Sequence, residues 1–306
     1  MAFTAKDVKN LREMTGVGMM DCKKALAEAD GDMDRAVEWL REKGLAAAQK
    51  KAGRIAAEGM AYAEVIDGIG VVVEVNAETD FVAKNELFVE FVKGVAAVVA
   101  KENPADLEAL MACKYDDTLT VEQMQQEKVL VIGENIKVRR FDRYAEGYNV
   151  PYVHMGGRIG VMVNMEVSEG LEGNADVDEL GKDLAMQIAA MRPMYLDKTN
   201  VEESVIEKEK AILMAQINED PKNANKPEQI KEKMIVGRIA KYYEETCLMQ
   251  QAFVKGDKIS VEQHVAAVAK AAGGSIAIKG YIRFEKGEGL EKRQDNFAEE
   301  IASMVK

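Results

Sequence analysis

The spacing of apolar residues changes along the chain and separates a helical part from a part that forms strands. In residues 1–54, apolar side chains recur every three or four positions, and breaks at residues 15–19 and 29–32 separate three short helices. The third helix is expected to end before Gly44, with a polar linker or an extended helix after it. Three short helices with a thin shared core are typical of a small binding module.

From residue 60 onward, short apolar runs alternate with turn sequences, which is the pattern of strands. Residues 61–78 contain two such runs around an Asp-Gly turn, the pattern of a β-hairpin. A helix of about residues 80–100 follows, with Thr79 as its expected cap. Strand and helix patterns recur from residue 141, so we predict an α+β fold whose core is a duplicated pair of subdomains with antiparallel sheets.

Two long charged helices interrupt the second subdomain. Residues 198–220 and 228–250 flank the turn PKNANKP and are predicted to form a helical hairpin. The apolar residues expected to face one another across it are Val205, Ile212, Met214 or Ile217, Ile230, Met234, Ile235 and Ile239. Such a hairpin carries a dimer or partner contact, or packs on its own chain as an insertion, and the sequence leaves both open.

These elements predict five parts of the chain. A strand over residues 279–289 returns to the sheet, and a short terminal helix with Phe297, Ile301 and Met304 follows. The predicted parts are a three-helix domain at 1–54, a first core subdomain at 55–140, a second at 141–190 and 246–289, the hairpin insertion at 191–245, and a C-terminal helical module at 290–306.

Charge and composition argue against two classes of protein. The chain has 53 acidic and 41 basic residues, a net charge of −12, which is the wrong sign for a protein that coats nucleic acid. No apolar stretch approaches the roughly 20 residues of a membrane helix. The first residues lack the pattern of a signal or transit peptide. We therefore expect a cytoplasmic protein that contacts neither nucleic acid nor membrane.

The sequence contains no recognised motif for catalysis, a cofactor or a metal. It has no phosphate-binding loop, no H-E-x-x-H, no C-x-x-C and no G-x-S-x-G. Cys22, Cys113 and Cys247 are far apart, and His154 and His264 are the only histidines. We therefore predict no cofactor, no metal and no chemical step of the protein's own.

Two long segments resemble the signatures of bacterial elongation factor Ts. LREMTGVGMMDCKKAL (11–26) matches L-R-x-x-T-G-x-G followed by an acidic residue and K-x-A-L, and EVNAETDFVAK (74–84) matches E-hydrophobic-N with T-D-F-V. IGENIKVRR (132–140), HMGGRIGV (154–161) and GYIRFEKGEGLEK (280–292) follow in the family's order. The resemblance covers essentially the whole chain, and Ala77 stands where the family often has Cys or Ser.

The resemblance implies a guanine-nucleotide exchange factor that binds elongation factor Tu and promotes GDP release. It also implies a ubiquitin-associated-like (UBA-like) fold for the N-terminal helices, a coiled coil for the hairpin, and a C-terminal helical module. Whether the hairpin joins two copies into a homodimer, or into a heterotetramer with elongation factor Tu, is left open. The family's T-D-F-V segment is understood to displace the elements of the GTPase that hold Mg²⁺ and phosphate.

This resemblance implies that the partner-binding residues are Thr79, Asp80, Phe81 and Val82, with Phe81 as a wedge. Spacing alone predicts the opposite for Phe81, because Phe88 and Val95 follow it at intervals of seven, as core residues of one helix do.

Further positions match the family's partner contacts and also have an ordinary structural explanation as turn, helix-surface or strand-end residues: Met19, Met20, Lys23, Ile132, Gly133 and His154. A second hypothesis is an interaction scaffold, in which the N-terminal helices bind a helix or tail and the core is only structural. Deleting residues 1–54 is the experiment that separates the two hypotheses. An enzyme has little support.

Overall fold

The computed structural model describes residues 3–256 and 258–292. Within them the chain forms two compact units, the first of residues 3–143, 153–160 and 284–292, and the second of residues 144–152, 161–256 and 258–283. Helices are mixed with two small antiparallel sheets of three strands each, and in both sheets the strands lie in the order in which they follow along the chain. The predicted mixture of helices with antiparallel sheets is confirmed. The predicted terminal helix with Phe297, Ile301 and Met304 lies outside the described residues.

The first unit begins with three helices and continues into a sheet covered by further helices. Its elements are α1 (Ala5–Thr15), α2 (Met19–Glu28), α3 (Met33–Lys51), β1 (Glu58–Ile66), β2 (Ile69–Ala77), α4 (Glu86–Glu102), α5 (Leu107–Ala112), α6 (Val121–Ile132) and β3 (Lys137–Tyr144). The three N-terminal helices share a small core that includes Leu11, Leu26 and Leu40.

Helix α3 is longer than the sequence pattern predicts. It continues through Gly44 to Lys51, so the expected end before Gly44 is wrong, and of the two alternatives for the residues that follow, the extended helix is confirmed. Gly44 is buried, and a Cβ atom built on it would lie 3.4 Å from the carbonyl oxygen of Gln126 in α6. Leu130 and Val131 of α6 also pack against the N-terminal core. Gly44 is therefore the point where two helices approach closely, and it does not end the helix.

The predicted hairpin is formed by β1 and β2. The two strands pair in antiparallel register from Glu58 with Ala77 to Ile66 with Ile69. Asp67 and Gly68 connect them with φ angles of 51° and 83°, the left-handed pair that a tight two-residue hairpin turn requires. Val71, Val73 and Val75 of β2 pack with the apolar face of α4 in one core, whose large members include Phe88 and Phe91.

We expect Gly59→Ala to destabilise the protein much more than Gly68→Ala, although both glycines have positive φ angles. A Cβ atom on Gly59 would lie 2.2 Å from the Val75 carbonyl oxygen, whereas nothing lies within 4 Å of one on Gly68. The difference in unfolding free energy, measured by urea denaturation, should be about 2 kcal/mol. Equal losses would show that β2 does not approach Gly59 this closely.

The second unit contains a sheet, long helices and the predicted hairpin of helices. Its elements are β4 (Tyr148–His154), β5 (Ile159–Val167), α7 (Ala175–Met191), α8 (Glu203–Glu219), α9 (Glu228–Thr246), α10 (Val261–Ala272) and β6 (Ile276–Glu285). The last residues of β4 and β6 and the first residues of β5 belong to the first unit. Across the described residues, no helix is both long and apolar enough to cross a membrane.

The helices α8 and α9 pack through most of the residues predicted for their contact, with two exceptions. Their buried cluster includes Ile206, Leu213, Ile217, Ile235 and Ile239, with Val205, Met214 and Met234 partly buried at its edge. Ile212 and Ile230 are 51% and 45% exposed, so their predicted inward positions are wrong. The buried face of α8 passes through Leu213 and Ile217, which places Ile212 on the outer side.

Candidate functional site

An exposed aromatic side chain stands on the loop that joins β2 to α4. Phe81 is 80% exposed, whereas Phe88 and Val95 are completely buried in the core. The interpretation of Phe81 as a core residue, which rested on its spacing from these two, is therefore wrong. Burying this aromatic surface against a partner would release roughly 2–3 kcal/mol.

The backbone explains why Phe81 is out of phase with α4. That helix begins at Glu86 and is capped by Asn85, whose Oδ1 accepts a hydrogen bond of 2.9 Å from the Leu87 amide. A short 3₁₀ turn, Val82–Lys84, precedes the cap. The expected helix start near Asp80, with Thr79 as its cap, is wrong. Phe81 precedes the turn, so the helical period that buries Phe88 does not apply to it.

Two carboxylates hold the loop. One oxygen of Glu134 accepts from the amides of Glu78 and Thr79, both at 3.0 Å, and the other accepts from Thr79 Oγ1 at 2.6 Å. The Glu78 carboxylate accepts in return from the Asn135 amide at 2.7 Å and from Arg54 Nη1 at 3.3 Å. The loop before Phe81 is thus joined at several points to the turn after α6.

The four residues of T-D-F-V divide into an inner and an outer pair. Val82 is buried in the core of the first unit, and the half-buried Thr79 is engaged with Glu134. Asp80 is exposed beside Phe81, and its carboxylate lies 3.8 Å from Lys84 Nζ, a solvated pair that contributes little to stability. The arrangement therefore presents one aromatic face and one carboxylate at its surface.

A buried charge network lies at the base of the loop and joins three of the segments that resemble the family. Glu74 on β2 is completely buried, and its carboxylate accepts from Arg139 Nη1 at 2.9 Å and Arg140 Nε at 2.6 Å. The same carboxylate accepts from Asn76 Nδ2 at 3.1 Å and from the Gly287 amide at 2.7 Å. The segments EVNAETDFVAK, IGENIKVRR and GYIRFEKGEGLEK therefore meet at one carboxylate.

Gly287 is required at this place for two reasons. Its φ angle is +69°, and a Cβ atom there would lie 2.1 Å from the Ala57 carbonyl oxygen. Only a residue without a side chain lets the backbone reach Glu74. The neighbouring Lys286 pairs with Glu58, which ties the same segment to β1.

The predicted N-terminal residues lie on the exposed side of α2. Met20 is 74% exposed, and Met19 and Lys23 are exposed beside it in sequence. Cys22 lies in the core of the three helices, where burial raises the pKa of its thiol. The helix thus separates an inner Cys22 from an outer group that contains all three predicted residues.

Ile132 and Gly133 both have structural roles at the end of α6. Ile132 is partly buried against the core, and Gly133, with φ 89°, caps the helix by donating to the Val129 carbonyl. The Lys51 ammonium donates to that carbonyl at 3.3 Å, and burial lowers the pKa of Lys51. The residues of this segment that contact the Phe81 loop are the next two, Glu134 and Asn135.

His154 begins a turn between β4 and β5. It is half-buried, and its carbonyl accepts from the amides of Gly157 and Arg158 at 3.2 and 3.0 Å. The exposed apolar residue of this turn is Met155, which is 68% exposed and has a φ angle of 48°. The turn rests on β1, since the Ala61 amide donates to the Gly157 carbonyl at 2.8 Å.

All ten predicted site residues lie in the first compact unit. Of these residues, Thr79 is bonded directly to Glu134, the residue that follows Gly133. The prediction did not include the residues that hold the loop, Glu78 and Glu134, because their hydrogen bonds connect positions 55 to 57 apart in sequence. The one available signal was that both acids lie within or beside segments that resemble the family.

Comparison with known proteins gives one family over essentially the whole chain. The family model for elongation factor TS matches residues 78–288. Elongation factor Ts of Clostridium perfringens is 49% identical over 99% of each chain, that of Syntrophotalea carbinolica 49% over 100% of each, and that of Symbiobacterium thermophilum 50% over 98% of this chain and 97% of its own. Because the identity extends over essentially the whole length, the chain belongs to the elongation factor Ts family.

Proposed function

We propose that this chain binds the GTPase elongation factor Tu and promotes the release of its bound GDP, without making or breaking a covalent bond. Membership of the elongation factor Ts family supports this role. The observation that carries it is the exposed Phe81, which stands on a loop held by hydrogen bonds on the side before it. A side chain placed in this way is suited to enter a partner.

The proposed mechanism follows from thermodynamic linkage. A factor that binds the nucleotide-free GTPase more tightly than the GDP-bound form must weaken GDP binding by the same ratio. GDP is held mainly through its phosphates and the associated Mg²⁺, so moving the elements that hold them weakens its binding. Phe81 would act as the wedge that moves them, with Asp80 next to it, while Thr79 and Val82 support the loop from within.

Two further groups of exposed residues in the first unit would extend this contact. Met19, Met20 and Lys23 on α2 form one outer group, and Met155 next to His154 forms another. Ile132 and Gly133 would contribute by shaping the turn that carries Glu134. Exposed methionines fit a protein interface because their flexible side chains adapt to a partner's surface.

We also propose that the N-terminal helices form a UBA-like module and that α8 and α9 form a coiled-coil hairpin. Ile212, Ile230 and Val236 are apolar and exposed on this hairpin, which supports a role in association. Two copies joined there would give a homodimer, or a heterotetramer with two copies of elongation factor Tu. Size measurement of the chain alone and with its partner tests this assembly.

The purified chain is expected to raise the rate of GDP release from elongation factor Tu by about 100-fold at saturation. Release of a fluorescent GDP analogue, followed as the concentration of the chain increases, measures this rate. A small GTPase outside the translation factors serves as the control and should show no change. Binding without any acceleration at saturation would favour the interaction scaffold instead.

A further inference from the structure

We propose that Glu134 is a positioning residue for nucleotide exchange, which fixes Phe81 in the free protein by holding the two residues before Asp80. This inference rests on the function proposed above. In this role Glu134 acts through the backbone of the loop and needs no contact of its own with the partner.

A single carboxylate makes several bonds to the loop. Glu134 accepts three hydrogen bonds from two successive residues, Glu78 and Thr79, at 2.6 to 3.0 Å. Two of the donors are backbone amides, so the bonds restrain the chain itself as well as a side chain. Hydrogen bonds to an ionised acceptor are shorter and stronger than those between neutral groups. The backbone is therefore restrained two residues before Phe81.

The loop is also held on the other side of Phe81. The Lys84 amide donates to the Phe81 carbonyl at 3.1 Å, and the Asn85 amide donates to the Val82 carbonyl at 2.9 Å. The buried side chains of Val82 and Ala83 anchor this turn in the core. Phe81 thus extends from a short segment whose two ends are both restrained.

The loop before Phe81 and the turn after α6 are bonded in both directions. The Glu78 carboxylate accepts from the Asn135 amide, while Glu134 accepts from the Glu78 amide. The Arg54 guanidinium, 3.3 Å from Glu78, offsets part of the negative charge, and the Arg54 carbonyl accepts from Asn135 Nδ2 at 2.9 Å. We call this set of bonds among Arg54, Glu78, Thr79, Glu134 and Asn135 the carboxylate clamp.

The benefit of the carboxylate clamp is that the loop is ordered before the partner arrives. A loop held only by its connections would sample many positions of Phe81, and binding would have to oppose the loss of that freedom. With the clamp, more of the binding free energy is available to displace elements of the GTPase. Loss of Glu134 should therefore lower the maximal rate of release, which reports the action of Phe81, more than it weakens association.

The test compares Glu134→Ala and Glu134→Gln with Glu122→Ala, which removes an exposed glutamate from the first turn of α6, the helix that ends just before Glu134. Hydrogen exchange of the segment 76–84 reports the clamp without any partner. In Glu134→Ala, the amides of Glu78 and Thr79 should exchange at least about tenfold faster. Glu134→Gln keeps one acceptor oxygen and should be intermediate, while Glu122→Ala should leave this segment unchanged.

The functional measurement is the rate of GDP release at a series of concentrations of the chain. It gives the maximal rate and the half-saturating concentration as two separate values. Glu134→Ala should lower the maximal rate about tenfold with less effect on half-saturation. In a Phe81→Ala background, the same substitution should add almost nothing, because the side chain that it positions is gone. If Glu134→Ala fails to fold, Glu134→Gln is compared in both backgrounds, with the same non-additivity expected at a smaller size.

Three outcomes would overturn the inference while the wild-type chain remains active. These are unchanged exchange of the Glu78 and Thr79 amides, an unchanged maximal release rate, and a loss that is equally large with and without Phe81. Failure of the wild-type chain to accelerate release would instead overturn the proposed function, and the inference with it. The hydrogen-exchange measurement still reports in that case whether the clamp exists.

Discussion

Phe81→Ala should lower the maximal rate of GDP release from elongation factor Tu by about 30-fold, the equivalent of about 2 kcal/mol at an interface hot spot. The side chain is 80% exposed in the free protein, so its removal leaves no cavity in the core. The loss should therefore appear in the release rate and not in the thermal stability of the chain. Stopped-flow release of a fluorescent GDP analogue measures the effect.

Two further variants determine whether the effect belongs to this loop. Asp80→Ala should also reduce release, since Asp80 is exposed next to Phe81 and its pair with Lys84 is too solvated to matter for folding. Met191→Ala truncates an exposed apolar side chain in the second unit and should leave the rate unchanged. If Phe81→Ala and Met191→Ala gave the same rate of GDP release, the proposed role of Phe81 as a wedge would be wrong.

Glu74→Gln is expected to have the largest effect on stability, a loss of about 3 kcal/mol in the free energy of unfolding. The substitution keeps the shape of the side chain but removes the charge that pairs with Arg139 and Arg140. The NH₂ of the new amide group would also face one of the N–H groups that now donate to Glu74, such as that of Arg140 Nε, and two donors cannot bond to each other. Urea denaturation followed by circular dichroism measures the loss.

The matched control is Glu166→Gln. Glu166 pairs with Lys279 at 3.1 Å, but both side chains are more than half exposed, so the change should cost less than about 0.5 kcal/mol. A similar loss for both variants would mean that burial does not strengthen the Glu74 network. Because Glu74 joins β2, β3 and the segment around Gly287, its loss should also reduce the cooperativity of unfolding.

Much of the fold could be predicted because its signals are local. The Asp-Gly turn between β1 and β2, and the apolar period of α7, are properties of neighbouring residues. The end of α3 could not be predicted, since a glycine usually interrupts a helix unless another helix packs closely against it, as α6 does at Gly44. On α8 the pattern predicted Ile212 on the inner face, whereas its neighbour Leu213 lies there. Two adjacent apolar residues fit the helical spacing almost equally well, and only one of them can be buried.

The candidate site shows the same division between local and distant causes. Periodicity alone would have buried Phe81, and the resemblance to the family was needed to expect it at a partner surface. The structure adds the physical reason for its exposure, which is the 3₁₀ turn and the late start of α4 at Glu86. The bonds from Glu134 connect positions far apart in sequence, so no pattern of neighbouring residues could have indicated them.

The packing of α3 on α6 changes what a deletion of residues 1–54 would report. The cut removes the helix that covers Leu130 and Val131, and it also removes Arg54 and Lys51, which bond to Glu78 and to the end of α6. The shortened chain would expose new apolar surface and tend to self-associate. Substitutions on the outer side of α2, such as Met20→Ser, isolate the contribution of the N-terminal helices to recognition while α6 stays covered.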